Sequence, residues 1–254
     1  MPILLKRDNG IAHVTLDRPE RRNALTVADF AQLRDIFDEI AVTGADRAVL
    51  ITGAGKGFCA GADLGDGLPT EHPSTVMRPI NDAFRALHRL PQPAVAAVHG
   101  AAFGAGMSLA LGCDLVIAAD DAVFSQIFVR RGLSPDTGSS WLLPRIVGLH
   151  TAKRLALLGD TITAAQAQTL GIVTEVTTTD RLTETATAYA RRLADGPPIA
   201  LALTKRLLDA ASTTGFDEAL EAETAAVAVN VATADMAEAF TAFAEKRPPI
   251  FRGR

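Results

Sequence analysis

The sequence predicts an α/β fold, a coiled stack of similar strand and helix units closed by an α-helical C-terminal region. Three observations carry that prediction. Short apolar runs suited to buried strands recur between helical patterns, at 47–53, 93–98, 115–118 and 122–125. Two of these runs lead into glycine-rich turns, 57–64 and 100–106, and the second turn opens directly into an apolar helix. From about Arg181 onward, alanine-rich helical stretches dominate.

In chain order, alternation at 3–6 and 11–17 around Asp8-Asn9-Gly10 predicts a hairpin, because Asn-Gly supplies the left-handed residues of a tight turn. Thr26 is placed to cap a helix with Phe30, Leu33, Ile36, Phe37 and Ile40 at helical spacing. The strand at 47–53 leads to the first glycine turn and then to 65–75, a stretch with Gly and Pro but no periodicity, expected to be mobile. A second helix is expected over 76–90, then the buried strand 93–98. The strands at 115–118 and 122–125 are followed by a turn and a helix from about Gly138. Beyond Gly171-Ile172-Val173, the helices are separated by Gly196-Pro197-Pro198 and Thr213-Thr214-Gly215.

With 254 residues, 48% of them hydrophobic and 21% charged, the chain can build a sizeable core, in one domain or two, and disorder is excluded. A net charge of -4 argues against general nucleic-acid binding while leaving room for a local basic patch. Cys59 and Cys113 sit where small apolar residues would serve equally, so buried free thiols are expected rather than a disulfide or a metal site. No run approaches the length needed to span a bilayer, and Met1 to Asp8 lacks a signal peptide's apolar stretch. The ending Phe251-Arg252-Gly253-Arg254 carries no lipidation signal. A cytoplasmic location without a membrane partner is expected.

The chemistry starts from 97–119. Gly100, Gly104 and Gly106 remove side-chain bulk where a substrate oxygen must approach the backbone, and the N–H groups of a helix start face that oxygen with a favourable dipole. Gly57-Phe58-Cys59-Ala60-Gly61-Ala62-Asp63-Leu64 forms a second such turn, so N–H groups from two loops can clamp one carbonyl oxygen. The alternative is that Gly104-Ala105-Gly106 only permits close helix packing.

Together with Ile11 to Pro19, Asn23-Ala24-Leu25 and Ala242 to Pro249, these loops resemble the crotonase superfamily, the enoyl-CoA hydratase/isomerase family, over nearly the whole chain. The resemblance implies a crotonase spiral of repeated ββα units over 1–195, holding the CoA and oxyanion site, and a helical oligomerisation region over 196–254. It implies an acyl-CoA thioester as partner, with CoA as part of the substrate and no separate cofactor or metal, and a homotrimer or dimer of trimers. By family position the oxyanion donors are the N–H groups of Cys59 and Ala105. Arg22 and Ala24 are implied at the pantetheine and adenosine end, and Ala60, Gly61, Ala62, Asp63 and Leu64 around the adenine and thioester. Lys246 is implied at a phosphate, in its own or a neighbouring subunit; a lysine on a terminal helix is equally a solvated charge.

The family's hydratases use two glutamates, and this chain has Ser108 and Phe128 at those places, neither of which is a base at neutral pH. The stretch Leu133-Ser134-Pro135-Asp136-Thr137-Gly138 instead resembles the epoxyphenylacetyl-CoA isomerase branch, also described for Δ3,Δ2-enoyl-CoA isomerisation, in which an aspartate at this place is the acid/base. A single carboxylate suffices to shift a double bond. From the residues alone, Asp136 is equally an N-cap ahead of a helix. Capping would lower its pKa, whereas the apolar neighbours Phe128, Leu133 and Trp141, near the substrate with Gly104, would raise it. Asp114, Asp120, Asp121 and Asp63 read as structural or organising.

An isomerase is therefore expected. Two alternatives stay open: an enoyl-CoA hydratase that recruits water through Asp136, and a non-catalytic acyl-CoA-binding protein that kept the turns but lost its acids. Other classes find less support. Gly53-Ala54-Gly55-Lys56-Gly57 lacks the Ser or Thr of a phosphate loop, and the glycines of 100–106 do not match the dinucleotide fingerprint. His13, His72, His88, His99 and His150 are scattered without metal-ligand spacing, and a hydrolase built on Ser108 has no evident base.

Overall fold

The computed structural model describes residues 2–63, 65 and 72–254. β1 (Ile3–Asp8) and β2 (Ile11–Leu16) form the expected hairpin, with Asp8 opposite Ile11 and both Asn9 and Gly10 at positive φ. β2 then runs parallel to β3 (Ala48–Gly53), and the parallel arrangement continues through β4 (Ala94–Val98), β6 (Leu115–Ala119) and β9 (Glu175–Thr177). Among the described residues these make a six-stranded sheet in the order β1-β2-β3-β4-β6-β9. A second sheet, three-stranded, is formed by β5 (Ala101–Phe103), β7 (Val123–Ser125) and β8 (Thr161–Thr163).

The spiral follows from how each turn of chain is shared between the sheets. β4 lies in the large sheet, β5 in the small one, and α3 (Ala105–Leu111) follows; β6 and β7 repeat the pattern and lead to α4 (Ser139–Val147). One coil earlier, β3 is followed by Cys59, which pairs with Ala102 as a single parallel bridge at the edge of the small sheet, and then by α2 (Pro73–Arg89). The expected repeat of strand, strand and helix is thus present, each turn shared between the two sheets.

Central parallel strands are covered on both faces, which is why their sequences read as unbroken apolar runs. On one face Val14, Val49, Ile51, Ala96 and Val98 pack into the main core with α1 (Val27–Val42). On the other, Ile11, Leu50, Val95 and Ile117 meet Ala186 and Ala190 of α7 (Leu182–Ala194). α1 starts as expected: Thr26 Oγ1 accepts from the Asp29 N–H at 3.2 Å, and the Asp29 carboxylate accepts from the Thr26 N–H at 2.8 Å. Phe30, Leu33, Ile36, Phe37 and Ile40 are all buried.

The helix expected over 76–90 begins earlier, at Pro73, with Pro in its first turn where no N–H is needed. Of the stretch 65–75 expected to be mobile, 66–71 lie outside the described residues. Short elements without a legible period were not foreseen: β5, β8, β9, α5 (Leu149–Leu158) and α6 (Ala164–Thr169). A three-residue strand has too few alternations to stand out from its surroundings.

The C-terminal region is helical as expected, with α8 (Pro198–Ala210), α9 (Phe216–Val231) and α10 (Ala234–Glu245). Lys205 on α8 reaches back to Asp114 at 2.9 Å, whose carboxylate also accepts the Ala94 N–H at 2.6 Å. Asp114 therefore tethers this region to the sheet. Among the described residues, no helix is long and apolar enough to cross a membrane.

Candidate active site

Where the two glycine turns meet, the hydrogen-bonding pattern decides which amides are available. The bridge to Ala102 uses both backbone groups of Cys59: its N–H donates to Ala101 O at 2.9 Å, and its C=O accepts from the Phe103 N–H at 3.0 Å. The expectation that Cys59 N–H is an oxyanion donor is therefore corrected. It is a sheet bond, and Cys59 does not border the cleft described below.

Three residues on, the pairing is reversed. Leu25 bridges to Ala62, with the Leu25 N–H donating to Gly61 O at 2.9 Å and the Asp63 N–H to Leu25 O at 2.8 Å. In a parallel bridge this pattern uses both groups of Leu25 and turns those of Ala62 the other way. Ala60 N–H donates to Arg22 O at 3.0 Å, while the Ala62 N–H has no acceptor among the described residues. Ala105 is the first residue of α3, so its N–H has no partner within the helix, and none elsewhere among the described residues.

These two free amides border one cleft of about 530 Å³, and Gly61 is why their turns fit together. It has φ of +103°, and a Cβ there would come within 2.8 Å of Phe103 O and 3.6 Å of the Ala105 nitrogen. The expected role of the other glycines is partly corrected. The space beside Gly100 is filled by the Lys56 carbonyl, and that beside Gly106 by the Cys59 carbonyl, so both admit protein backbone rather than substrate. Gly104 does border the cleft, facing Ile127 and the Phe128 ring.

Asp136 lines the same cleft, as do Phe128 and Leu133. It does not cap α4: the N-cap is Gly138, no side chain bonds to the helix start, and only the backbone O of Asp136 is used, by Ser139 N–H and Oγ. Burial pushes the carboxyl above its ordinary pKa, and the adjacent Thr137 hydroxyl pulls the other way. Among the described residues no cation is paired with it, in contrast to Asp63. The Asp63 carboxylate accepts from Arg21 and Arg18, each at 2.8 Å, and from the Gly65 N–H at 2.9 Å. Those partners, Arg21 first, hold it down at about 2.

Ser108 and Phe128, expected from the resemblance to stand where hydratases carry glutamates, supply no carboxylate here. Ser108 is fully buried and its Oγ donates to Gly104 O at 3.1 Å within its own helix, which leaves it no role as a nucleophile. Phe128 presents a phenyl ring to the cleft wall.

Arg22, Ala24, Ala60, Gly61, Ala62 and Asp63 all border the cleft, as do Gly104, Ala105, Phe128, Leu133 and Asp136. Leu64 lies outside the described residues. Trp141 is corrected: it sits on the far side of α4, where Arg145 stacks 3.8 Å above its ring and His88 meets its edge at 5.4 Å, and it borders grooves beneath α8. It does not border the cleft that Asp136 lines. Lys246 ends α10 in a left-handed conformation and does not border the cleft of its own chain. Residues not singled out for the site from the sequence also line it, among them Phe30, Ile80, Phe103, Ile127, Arg131 and Thr137. Asn23 organises the first loop; fully buried at φ of +55°, it donates to the Ala54 and Gly57 carbonyls at 2.8 Å and accepts the Arg18 N–H at 2.9 Å. Only its place in a family motif marks it in the sequence. Among the described residues, no three His, Cys, Asp or Glu side chains gather as a metal-binding group would require.

A ββα spiral with two unpaired turn amides and a desolvated carboxyl in one cleft defines an α/β enzyme of the crotonase type. The chain belongs to the enoyl-CoA hydratase/isomerase family, whose model matches residues 6–254. It is 40% identical over 258 residues to the 1,2-epoxyphenylacetyl-CoA isomerase of Escherichia coli K12, covering 99% of this chain and 98% of that one. It is also 40% identical to a probable enoyl-CoA hydratase of Rhodobacter capsulatus, over 96% of this chain and 95% of that one. A crystal structure of a putative enoyl-CoA hydratase from Streptomyces coelicolor A3(2) superposes with a TM-score of 0.95 at 40% identity, covering 100% of this chain and 95% of that one. The family acts on acyl-CoA thioesters, so this chain is an enzyme of acyl-CoA metabolism.

Proposed function

We propose that the protein is an acyl-CoA isomerase acting on enoyl or epoxyphenylacetyl thioesters, with Asp136 as its single acid/base. The observation that carries this reading is the condition of the cleft's carboxyls. Asp63 is locked between two arginines and Glu20 is exposed 3.8 Å from Arg18, whereas Asp136 is desolvated, unpaired and set among apolar side chains. The N–H groups of Ala62 and Ala105 take the thioester oxygen. The Asp136 carboxylate removes a proton from the alpha carbon of a 3-enoyl thioester, and the C–H electron pair moves through the carbonyl carbon onto that oxygen. The protonated Asp136 then returns its proton at the gamma carbon, leaving the double bond between alpha and beta. Charge develops on the oxygen only as the proton leaves, so donors aimed there favour the transition state over the ground state. One such donor is typically worth about 3 kcal/mol.

Hydratase names among the relatives favour a second reading, addition of water to a 2-enoyl thioester through Asp136 alone. Incubation with a 3-enoyl-CoA and with a 2-enoyl-CoA, followed by conjugation and hydration respectively, separates the two. Isomerisation that falls by about 10²-fold or more in Asp136→Ala, with little change in thioester affinity, is the expected result. Turnover equal to the parent's in that variant would overturn the reading, and binding without turnover in the parent would make the protein an acyl-CoA-binding scaffold.

We also infer a trimer or dimer of trimers. Leu208, Phe216, Phe240 and Phe243 on the C-terminal helices are 66–86% exposed in one chain, and association would cover them.

A further inference from the structure

Thr137 stands out by three properties at once. It is a β-branched residue at φ of +54°, a conformation such side chains rarely adopt. Its side chain is buried, with the residue only 2% exposed, and its Oγ1 has no hydrogen-bond partner among the described residues. It borders the cleft directly beside Asp136. The first property comes from the turn it occupies. Asp136 O accepts the Ser139 N–H at 3.0 Å, and the two residues between, Thr137 and Gly138, both have positive φ. Such a turn is made at low cost by Asn-Gly or Gly-Gly, so a threonine at its first central position is strained without any local return. Strain of that kind, with an orphaned buried hydroxyl, points to a use for the hydroxyl.

We propose that Thr137 is a positioning residue, whose hydroxyl pairs with the Asp136 carboxyl through the proton-transfer cycle. A hydroxyl suits this because it is both donor and acceptor. It donates to the ionised carboxylate that awaits the substrate proton, and it accepts from the carboxylic acid once the proton has arrived. One carboxylate oxygen is thereby held, and the other is left to face the substrate carbons. The Thr137 hydroxyl favours the ionised form of Asp136, its neighbour in the chain, without forming an aligned hydrogen bond. Among the described residues, the charged groups around the cleft besides Asp136 are Glu20, Arg21, Arg22 and Asp63 from the first loops and Arg131 from the turn before Leu133. None contributes a resolved shift to Asp136, so burial and Thr137 are the two influences to be separated.

The inference rests on Asp136 being the base, and the test keeps the two apart. The Asp136 carboxyl is titrated by carbon-13 NMR in the parent, Thr137→Val and Thr137→Ser, with Asp136→Asn assigning the signal. The acid limb of kcat/KM on a 3-enoyl-CoA is followed in the same proteins. Valine keeps the shape and the backbone strain but has no hydroxyl. Its midpoint is expected to rise by about one pH unit, the scale of one hydrogen bond to a charged group, while serine keeps the parental midpoint. Parental midpoints in Thr137→Val, or a shift in Thr137→Ser as large as in Thr137→Val, would overturn the inference. Full turnover in Asp136→Asn would instead overturn the assignment of the base, whatever the NMR midpoints show.

Discussion

The Cα of Gly106 lies against the carbonyl of Cys59, so closely that a methyl group on residue 106 would overlap that oxygen. The contact clamps the first turn of α3, which carries the Ala105 amide, to the strand residue that precedes Gly61 and Ala62. Neither partner offers a flexible side chain that could yield. Gly106→Ala must therefore shift backbone and part the two turns. We expect it to lower kcat/KM by about 10²-fold, the scale of one misplaced oxyanion donor, and to reduce the melting temperature. Steady-state kinetics with thermal unfolding checks this, and parental values in both would show that the contact is not needed.

Because Cys59 acts through its backbone, its thiol is dispensable. Cys59→Ala keeps the N–H bond to Ala101, and we expect turnover within about threefold of the parent, with a stability loss of about 1 kcal/mol for the lost sulfur. Burial also holds the Cys59 thiol up at about 12. At pH 8 it is protonated and shielded, so a thiol reagent is expected to label it only after denaturation. Rapid labelling of the native protein would contradict the buried bridge.

A desolvated carboxylate works against the fold that holds it. The pKa of Asp136 is higher folded than unfolded, so the folded state is favoured by protonation, and this advantage is lost as pH rises through the folded value. At pH 7 the ionised group destabilises the protein. Asp136→Asn is therefore expected to melt higher than the parent at pH 7, with the difference shrinking as pH falls through the folded value and gone below the ordinary carboxylate value, while turnover falls about 10²-fold or more. Melting curves across pH check the sign, and a variant less stable at pH 7 would refute it.

Asp63 has the opposite sign. Its pKa is lowered to about 2 by Arg21, Gly65 and Arg18, so its stabilising contribution is present above the unfolded carboxylate value and is lost as pH falls toward 2. Asp63→Asn is expected to lower the melting temperature at pH 7, to raise KM and to lower kcat, since it loosens the loop carrying the Ala62 amide without touching the acid/base. A parental KM would mean that the loop holds its shape without the two arginines.

Much of the fold was legible because it rests on local signals. Asn9-Gly10 set the hairpin, the Thr26 and Asp29 pair started α1, and apolar runs marked the parallel strands that are covered on both faces. The family motifs placed Asp136 and Ala105, which do border one cleft. Trp141 was misjudged because nearness in sequence to Asp136 says nothing of which side of α4 it occupies, and Arg145 and His88 hold it on the other.

The sequence by itself determined which residue types are present and their local conformations: glycines where backbones must pass closely, a carboxyl after a proline, and no glutamate at 108 or 128. Only the tertiary structure decided which amides are free. Cys59 and Ala62 are three residues apart in one loop, yet one is tied to Ala101 and the other left open. That difference is made by partners 37 and 43 positions away, Leu25 across from Ala62 and Ala102 across from Cys59. A backbone hydrogen bond depends on what lies across from it, and no pattern of neighbours along the chain records that.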